Sequence, residues 1–178
     1  LFSFDPVAGT ITGVLAFTTS DGNYYGGSFS PNGQVVYLNG SNFEGGTGLD
    51  QYDLDAGTTA DILASKVDLY DCSGGQGCPY GTLQLGPDGK LYTGMSGISI
   101  GGVNVKAMGV IEQPDLPGPA CDFEPYAIHL LCNTAAQNGL PNFNESYFLT
   151  GMAGASCAAP TADFSYIVDG NDPLLFHF

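Results

Sequence analysis

The chain of 178 residues has no tryptophan, no arginine, only three lysines and only two histidines. Each shortage excludes something. Against 18 acidic side chains the three cations leave a formal net charge of −15. Phosphate backbones and anionic lipid surfaces therefore repel the polypeptide, and nucleic acid is excluded as a partner. The two histidines, His129 and His177, lie far apart, so a structural zinc site of Cys and His lacks ligands and no metal or other cofactor is expected. The missing Trp removes the largest aromatic face on which a sugar could stack. No apolar run approaches the ~20 residues of a membrane helix, so no membrane span is expected. There is no Cys-x-x-Cys redox pair. Gly94-Met95-Ser96-Gly97 lacks the five-residue spacing of a nucleophile elbow and reads as a glycine-rich loop. Leu1 opens the chain without Met, basic residues or an apolar signal core, so a secretory signal is expected to have been removed or to lie outside the sequence.

What is abundant points to strands. Glycine supplies 27 residues, hydrophobic residues 43% and charged residues 12%, the balance of many tight turns between short buried strands. Five cysteines in so acidic a chain fit an oxidising, extracellular setting. Two segments also recur. Phe4-Asp5-Pro6-Val7-Ala8-Gly9-Thr10 matches Tyr52-Asp53-Leu54-Asp55-Ala56-Gly57-Thr58 at an offset of 48, and Pro31-Asn32-Gly33 matches Pro87-Asp88-Gly89 at 56. A weaker third copy of the first motif, Ile111-Glu112 to Pro117-Gly118, follows Tyr52-Asp53 by 59. The two offsets differ by eight, the length of Asp71 to Cys78. That stretch is read as an insertion into one loop of a repeated unit, closed by a Cys72–Cys78 disulfide. A second staple is expected between Cys121 and Cys132, with Cys157 left over.

A period of roughly fifty residues is that of propeller blades. Val35, Tyr37 and Asn39 alternate with Val36, Leu38 and Gly40, and Pro-x-Gly between apolar runs marks a hairpin turn. Strands are predicted at 24–30, 34–39, 48–54 and 65–70 for one unit and at 80–85, 90–94, 107–112 and 126–131 for the next. Residues 1–4 and 11–17 supply the last two strands of an earlier unit. "TADILASK" reads as a short helical turn with a Thr cap. The expected fold is all-β: a partial β-propeller of about two and a half four-stranded blades over 1–149, a small-residue linker over 150–160, and the first strands of an Ig-like module over 161–178.

The run "YDLDAGTTADILASKV", then "GTLQLGPDGKLY", "GVIEQPDLPGPAC" and "GLPNFNESYF", resembles the propeller region of large surface proteins of gliding bacteria. The resemblance covers nearly all of 1–149, and its most specific parts are residues 83–90 and Gly139-Leu140-Pro141-Asn142-Phe143. "PTADFSYIVDG" resembles the opening of a PKD-type module. The resemblance implies type IX secretion, display at the cell surface or release, and an adhesin-like or scaffold role. The family has no agreed catalytic residues to carry over.

The remaining signals have plain structural readings. Glu112 and Glu124 could form an acid/base pair, but among 18 acidic side chains a solvated surface is the expected fate. Asp169-Gly170-Asn171-Asp172 reads as a hairpin turn rather than a calcium loop. Asn39-Gly40-Ser41 and Asn144-Glu145-Ser146 match the glycosylation pattern by coincidence. Tyr24, Tyr25, Phe43 and Tyr80 read as packing residues rather than a sugar platform. No catalytic residue is assigned. The expected function is a secreted or cell-surface, non-enzymatic scaffold for binding or adhesion, with a glycan, another surface protein or a neighbouring copy as partner. The alternatives are a propeller enzyme acting on extracellular polysaccharide, as hydrolase or lyase, and a structural subunit of an extracellular filament. Mass mapping of a non-reduced digest is expected to recover Cys72 joined to Cys78; both as free thiols would remove the stapled loop.

Overall fold

The structure, a computed structural model, describes residues 1–13, 15–16, 24–40, 48–72, 77–100, 103–130, 136, 140, 167–168 and 176–177. Those residues are mostly strand, as the alternation predicts, and every pairing among them is antiparallel. A first hairpin joins β1 (Ser3–Asp5) to β2 (Thr10–Thr12). Its turn is organised by Asp5, whose Oδ1 accepts from the backbone N–H groups of Val7 and Ala8 at 2.9 and 3.1 Å. Sheet one is the meander β3 (Tyr24–Phe29), β4 (Val35–Gly40), β5 (Leu49–Asp53) and β6 (Val67–Tyr70). Sheet two is the meander β7 (Cys78–Leu85), β8 (Leu91–Ile100), β9 (Val103–Ile111) and β10 (Phe123–His129). A last pair, β11 (Ile167–Val168) with β12 (Phe176–His177), lies in the segment assigned to the Ig-like module. The linker 150–160 is outside the described residues.

Both Pro-x-Gly motifs turn a hairpin. Gly33 and Gly89 sit at φ 73° and 79°, where an L side chain would be strained. The second turn is one residue shorter. Ser30 N–H bonds to Val35 C=O in the first, whereas Gly86 N–H bonds to Lys90 C=O in the second. Downstream of the turn the ladders therefore match Tyr37, opposite Ser28, with Tyr92, opposite Gln84. They also match Val36, opposite Tyr52, with Leu91, opposite Ile111. The helical turn is α1 (Thr59–Ala64), closed by a reciprocal cap: Thr58 Oγ1 accepts from Asp61 N–H while Asp61 Oδ2 accepts from Thr58 N–H at 2.9 Å.

The sheets pack face to face, and the faces that meet are not equivalent. Val35, Tyr37 and Leu49 of sheet one form one core with Leu83, Leu85, Leu91 and Ile111 of sheet two, all 6% exposed or less. The Tyr37 face of sheet one thus meets the Leu91 face of sheet two, while the Tyr92 face, the counterpart of Tyr37's, points away. The inner strands come close enough that a Cβ on Gly26 would stand 2.3 Å from Gly81 C=O. A ring contact adds to the junction, Tyr70 meeting Phe123 edge-on at 5.7 Å.

A buried polar lock sets the orientation. Gln51 is 3% exposed and uses both ends of its amide. Its Nε2 donates to Tyr37 Oη at 2.8 Å and to Leu116 C=O at 2.9 Å, and its Oε1 accepts from Gly118 N–H at 2.6 Å. Tyr37 Oη in turn donates to Pro114 C=O at 2.8 Å. The segment after β9, with its 3₁₀ turn Gly118–Cys121, is thereby tied onto sheet one. Gln51→Leu keeps the volume and strands these buried partners. It is expected to cost about 2–4 kcal/mol in urea unfolding; a loss under about 0.5 kcal/mol would show that packing alone orients the sheets.

Candidate functional site

The disulfide between Cys72 and Cys78 is present, with Cα atoms 5.4 Å apart. Cys72 follows β6 and Cys78 opens β7, so the staple closes the connection between the two sheets, where the repeat offsets put an insertion. Tyr70 anchors its base: Oη bonds to Gly77 C=O at 3.1 Å and shares a hydrogen bond with Tyr126 Oη at 2.8 Å. Burial first, then Tyr126, holds the Tyr70 phenol well above its usual range.

The second expected staple, Cys121 to Cys132, has only its first end among the described residues. Cys121 is a free thiol at 0% exposure in the inter-sheet core, and Cys132 lies outside the described residues. Burial raises its pKa against the pull of a hydrogen bond with Tyr37, so it packs as a small neutral side chain. Gly94-Met95-Ser96-Gly97 is not a loop but the middle of β8. A Cβ on Gly94 would stand 2.1 Å from Ala136 C=O, so the glycine marks a close backbone approach within a strand. Asn39, the first asparagine of the glycosylation patterns, is fully buried and donates to Thr93 Oγ1 at 2.9 Å. Glu112 is ion-paired with Lys90, and Glu124 sits opposite Val110 on β10. Tyr25 is 55% exposed. Phe43, Asn144, Cys157 and Asp169–Asp172 lie outside the described residues.

The group that sequence reasoning missed lies on sheet one. Asp50 and Asp68 are opposite one another across β5 and β6, and Lys66 Nζ reaches both, at 3.2 Å to Asp50 Oδ2 and 2.8 Å to Asp68 Oδ1. From β3, Tyr24 Oη donates to Asp50 Oδ2 at 2.5 Å and shares a hydrogen bond with Tyr52 Oη at 2.8 Å. The Asp50 side chain is 4% exposed and that of Asp68 72%. Burial sets the two carboxyls apart. Desolvation raises Asp50, helped by its hydrogen bond to Asp68, while Tyr24 and Lys66 pull the other way. Asp68 is held low, first by Lys66. Desolvation works against the Lys66 ammonium, but the two carboxyls outweigh it and raise its pKa. The Tyr24 phenol is pushed far up by burial and then by Asp50, so it acts as a fixed donor. The cluster is thus two carboxyls shifted in opposite directions around one ammonium: Asp50 raised and sealed from solvent, Asp68 lowered and exposed.

A cavity of about 440 Å³ lies on the Tyr92 face of sheet two. Leu85, Pro87, Tyr92, Met108, Ile128 and Leu140 supply its apolar lining. Gln84, 6% exposed, also lines it, and its buried Oε1 has no hydrogen-bond partner among the described residues. At the rim Tyr92 Oη donates to Asp88 Oδ2 at 2.7 Å, and burial followed by that carboxylate pushes the phenol up to about 12. Among the described residues no three His, Cys, Asp or Glu side chains gather as metal ligands, and no helix is long and apolar enough to cross a membrane. The chain matches no family model, no curated protein and no solved structure.

Asp50 and Asp68 oppose each other in their pH dependence. Asp50, raised in the fold, contributes stability that is complete below the ordinary carboxylate range and fades as pH rises through its folded value. Asp68, lowered in the fold, contributes stability that is present above that range and fades as pH falls through its folded value. Asp50→Asn removes the first and leaves the larger, Lys66-held part of the second. Its destabilisation is expected to be largest near pH ~4 and to shrink towards pH ~8 in thermal melts; a gap constant across that window would mean that the fold does not raise Asp50.

Proposed function

We propose that the chain is part of an extracellular, non-enzymatic scaffold built on propeller-like repetition, whose connecting loops bind a glycan or another surface protein. One observation carries the architecture: non-equivalent faces meet. In a sandwich of two sheets related by a two-fold, equivalent faces come together. A unit that instead offers one face to the sheet before and the opposite face to the sheet after repeats by rotation about an axis, as blades do. The likeness of 83–90 and 139–143 to surface proteins of gliding bacteria belongs to this reading, as do display at the cell surface and an Ig-like module over 161–178.

Binding rather than catalysis is supported by what the acids do. Asp50 is sealed and tied to Tyr24 and Lys66, and Glu112 is tied to Lys90. The groups best suited to acid/base work serve the fold. The stapled connection offers a different resource: a short segment held at both ends, which reduces the ordering cost of binding.

The test pairs binding with turnover. On an array of neutral glycans and purified surface proteins, exchange of residues 73–76 with both cysteines kept is expected to weaken binding at least about tenfold. The melting temperature should not move. Hydrolysis or elimination on a polysaccharide panel that Asp50→Asn or Glu112→Gln abolishes, with the fold intact, would replace the scaffold by an enzyme.

A further inference from the structure

We infer that Asn32-Gly33 is a site of spontaneous modification, at which the Gly33 amide nitrogen closes on the Asn32 side chain and leaves aspartate and isoaspartate in place of the asparagine. This goes beyond the scaffold reading and does not rest on it.

The dipeptide Asn-Gly occurs three times in the chain, at 32–33, 39–40 and 138–139. It is the pair most open to this chemistry, because glycine puts no side chain in the way of its own amide nitrogen and leaves the backbone free to turn. The fold treats the first two copies differently; Asn138 and Gly139 lie outside the described residues. Asn39 is fully buried in β4, paired with Gly26 on one side and Leu49 on the other, and its Nδ2 donates to Thr93 Oγ1 at 2.9 Å. Gly40 is held in the same ladder opposite Tyr24. Ring closure there would require the sheet to open. Asn32 and Gly33 instead sit exposed in the β3–β4 turn, and beyond its chain neighbours no atom stands within 4 Å of where a Gly33 Cβ would be.

One hydrogen bond restrains the nucleophile: Gly33 N–H donates to Ser30 C=O at 2.9 Å. In an exposed turn such a bond opens locally, without unfolding of the sheet. The electrophile is already prepared. Asn32 Oδ1 accepts from Ser30 Oγ at 2.7 Å and from Gln34 N–H at 2.9 Å, so two donors stand where negative charge develops as nitrogen attacks Cγ. The reaction balances with water alone. Gly33 N gives its proton to solvent and bonds to Asn32 Cγ; the Cγ–Nδ2 bond breaks, and Nδ2 takes up a proton and leaves as ammonia. Water then opens the succinimide. Cleavage at Cγ gives aspartate, and cleavage at the main-chain carbonyl gives isoaspartate, whose backbone runs through the former side chain. Nothing is oxidised or reduced.

Either product adds a negative charge to a turn that already binds two carboxylates. Asn32 N–H donates to Asp115 Oδ1 at 3.0 Å, and Gln34 Nε2 to Asp55 Oδ2 at 2.7 Å. The new carboxylate also loses the bond that Asn32 Nδ2 donates to Gln34 Oε1 at 2.8 Å. Asp115 belongs to the segment that Gln51 and Tyr37 tie onto sheet one, so the change loosens one edge of the junction between the sheets.

The full chain, kept folded in mildly alkaline, low-salt buffer for weeks, is sampled by mass spectrometry of chymotryptic peptides; cuts after Phe29 and Tyr37 separate the two asparagines. Asn32 is expected to convert at least about tenfold faster than Asn39, with isoaspartate and aspartate resolved as two products. In urea, where only the shared dipeptide counts, the two are expected to convert at similar rates. Asn32→Asp is expected to lower the melting temperature, by less at high salt, and the isoaspartate fraction of an aged sample to lower it further. The inference is overturned if Asn32 lasts as long as Asn39 in the folded chain, if aspartate forms without isoaspartate, or if neither Asn32→Asp nor the aged fraction melts lower. Unequal rates in urea would show that sequence rather than fold ranks the two sites and overturns it equally.

Discussion

Everything else in the arrangement depends on Gln51 being fully satisfied inside an apolar junction. Packing of Val35, Leu49, Leu85, Leu91 and Ile111 is strong but non-directional, and several rotations of one sheet on the other would bury similar area. A buried amide accepts few of them. Its two ends need partners at hydrogen-bond distance, and an unpaired end costs more than a paired one gains. Tyr37, Leu116 and Gly118 meet that demand only when the segment after β9 lies across β4 and β5. The lock thus turns a greasy contact into one orientation, and that orientation decides which face of each sheet lies in the junction.

How much of this was legible depended on whether the cause is local. The Pro-x-Gly turns and the alternation along 34–39 are local, and both meanders follow the predicted strands closely. The Cys72–Cys78 loop was legible because two repeat offsets bracket it. β8 and β9 run longer than predicted because Gly94 and Gly97 read as breakers. At Gly94 the reason for a glycine in the strand is a neighbour, the Ala136 backbone, that no local pattern shows. Cysteine spacing suggested a partner for Cys121 but carries no information on burial, and burial in the core is what the thiol experiences.

The cluster at Asp50 escaped for a related reason. Tyr24, Asp50 and Lys66 are spread over more than forty residues and meet only through the register of three strand pairings. A usable signal did exist. In a chain with three lysines and 18 acids, a lysine is a useful pointer to carboxyls that the fold brings together. Lys66 at Asp50 and Lys90 at Glu112 both follow that rule.

The repeat also shows how one position can be filled in three ways without changing the backbone. Phe2, Asp50 and Gly109 correspond through the offsets of 48 and 59. At Gly109 a Cβ would stand 2.9 Å from the Phe123 ring, so the missing side chain is what lets the ring close over β9. At Asp50 no ring enters; Tyr24 reaches across and its hydroxyl meets the carboxyl. At Phe2 the large side chain points into solvent, 67% exposed. The strand geometry is common to all three, and the side chain follows what each face meets: a ring, a phenol, or, for Phe2, the edge of a cavity shared with Phe29 and Leu54.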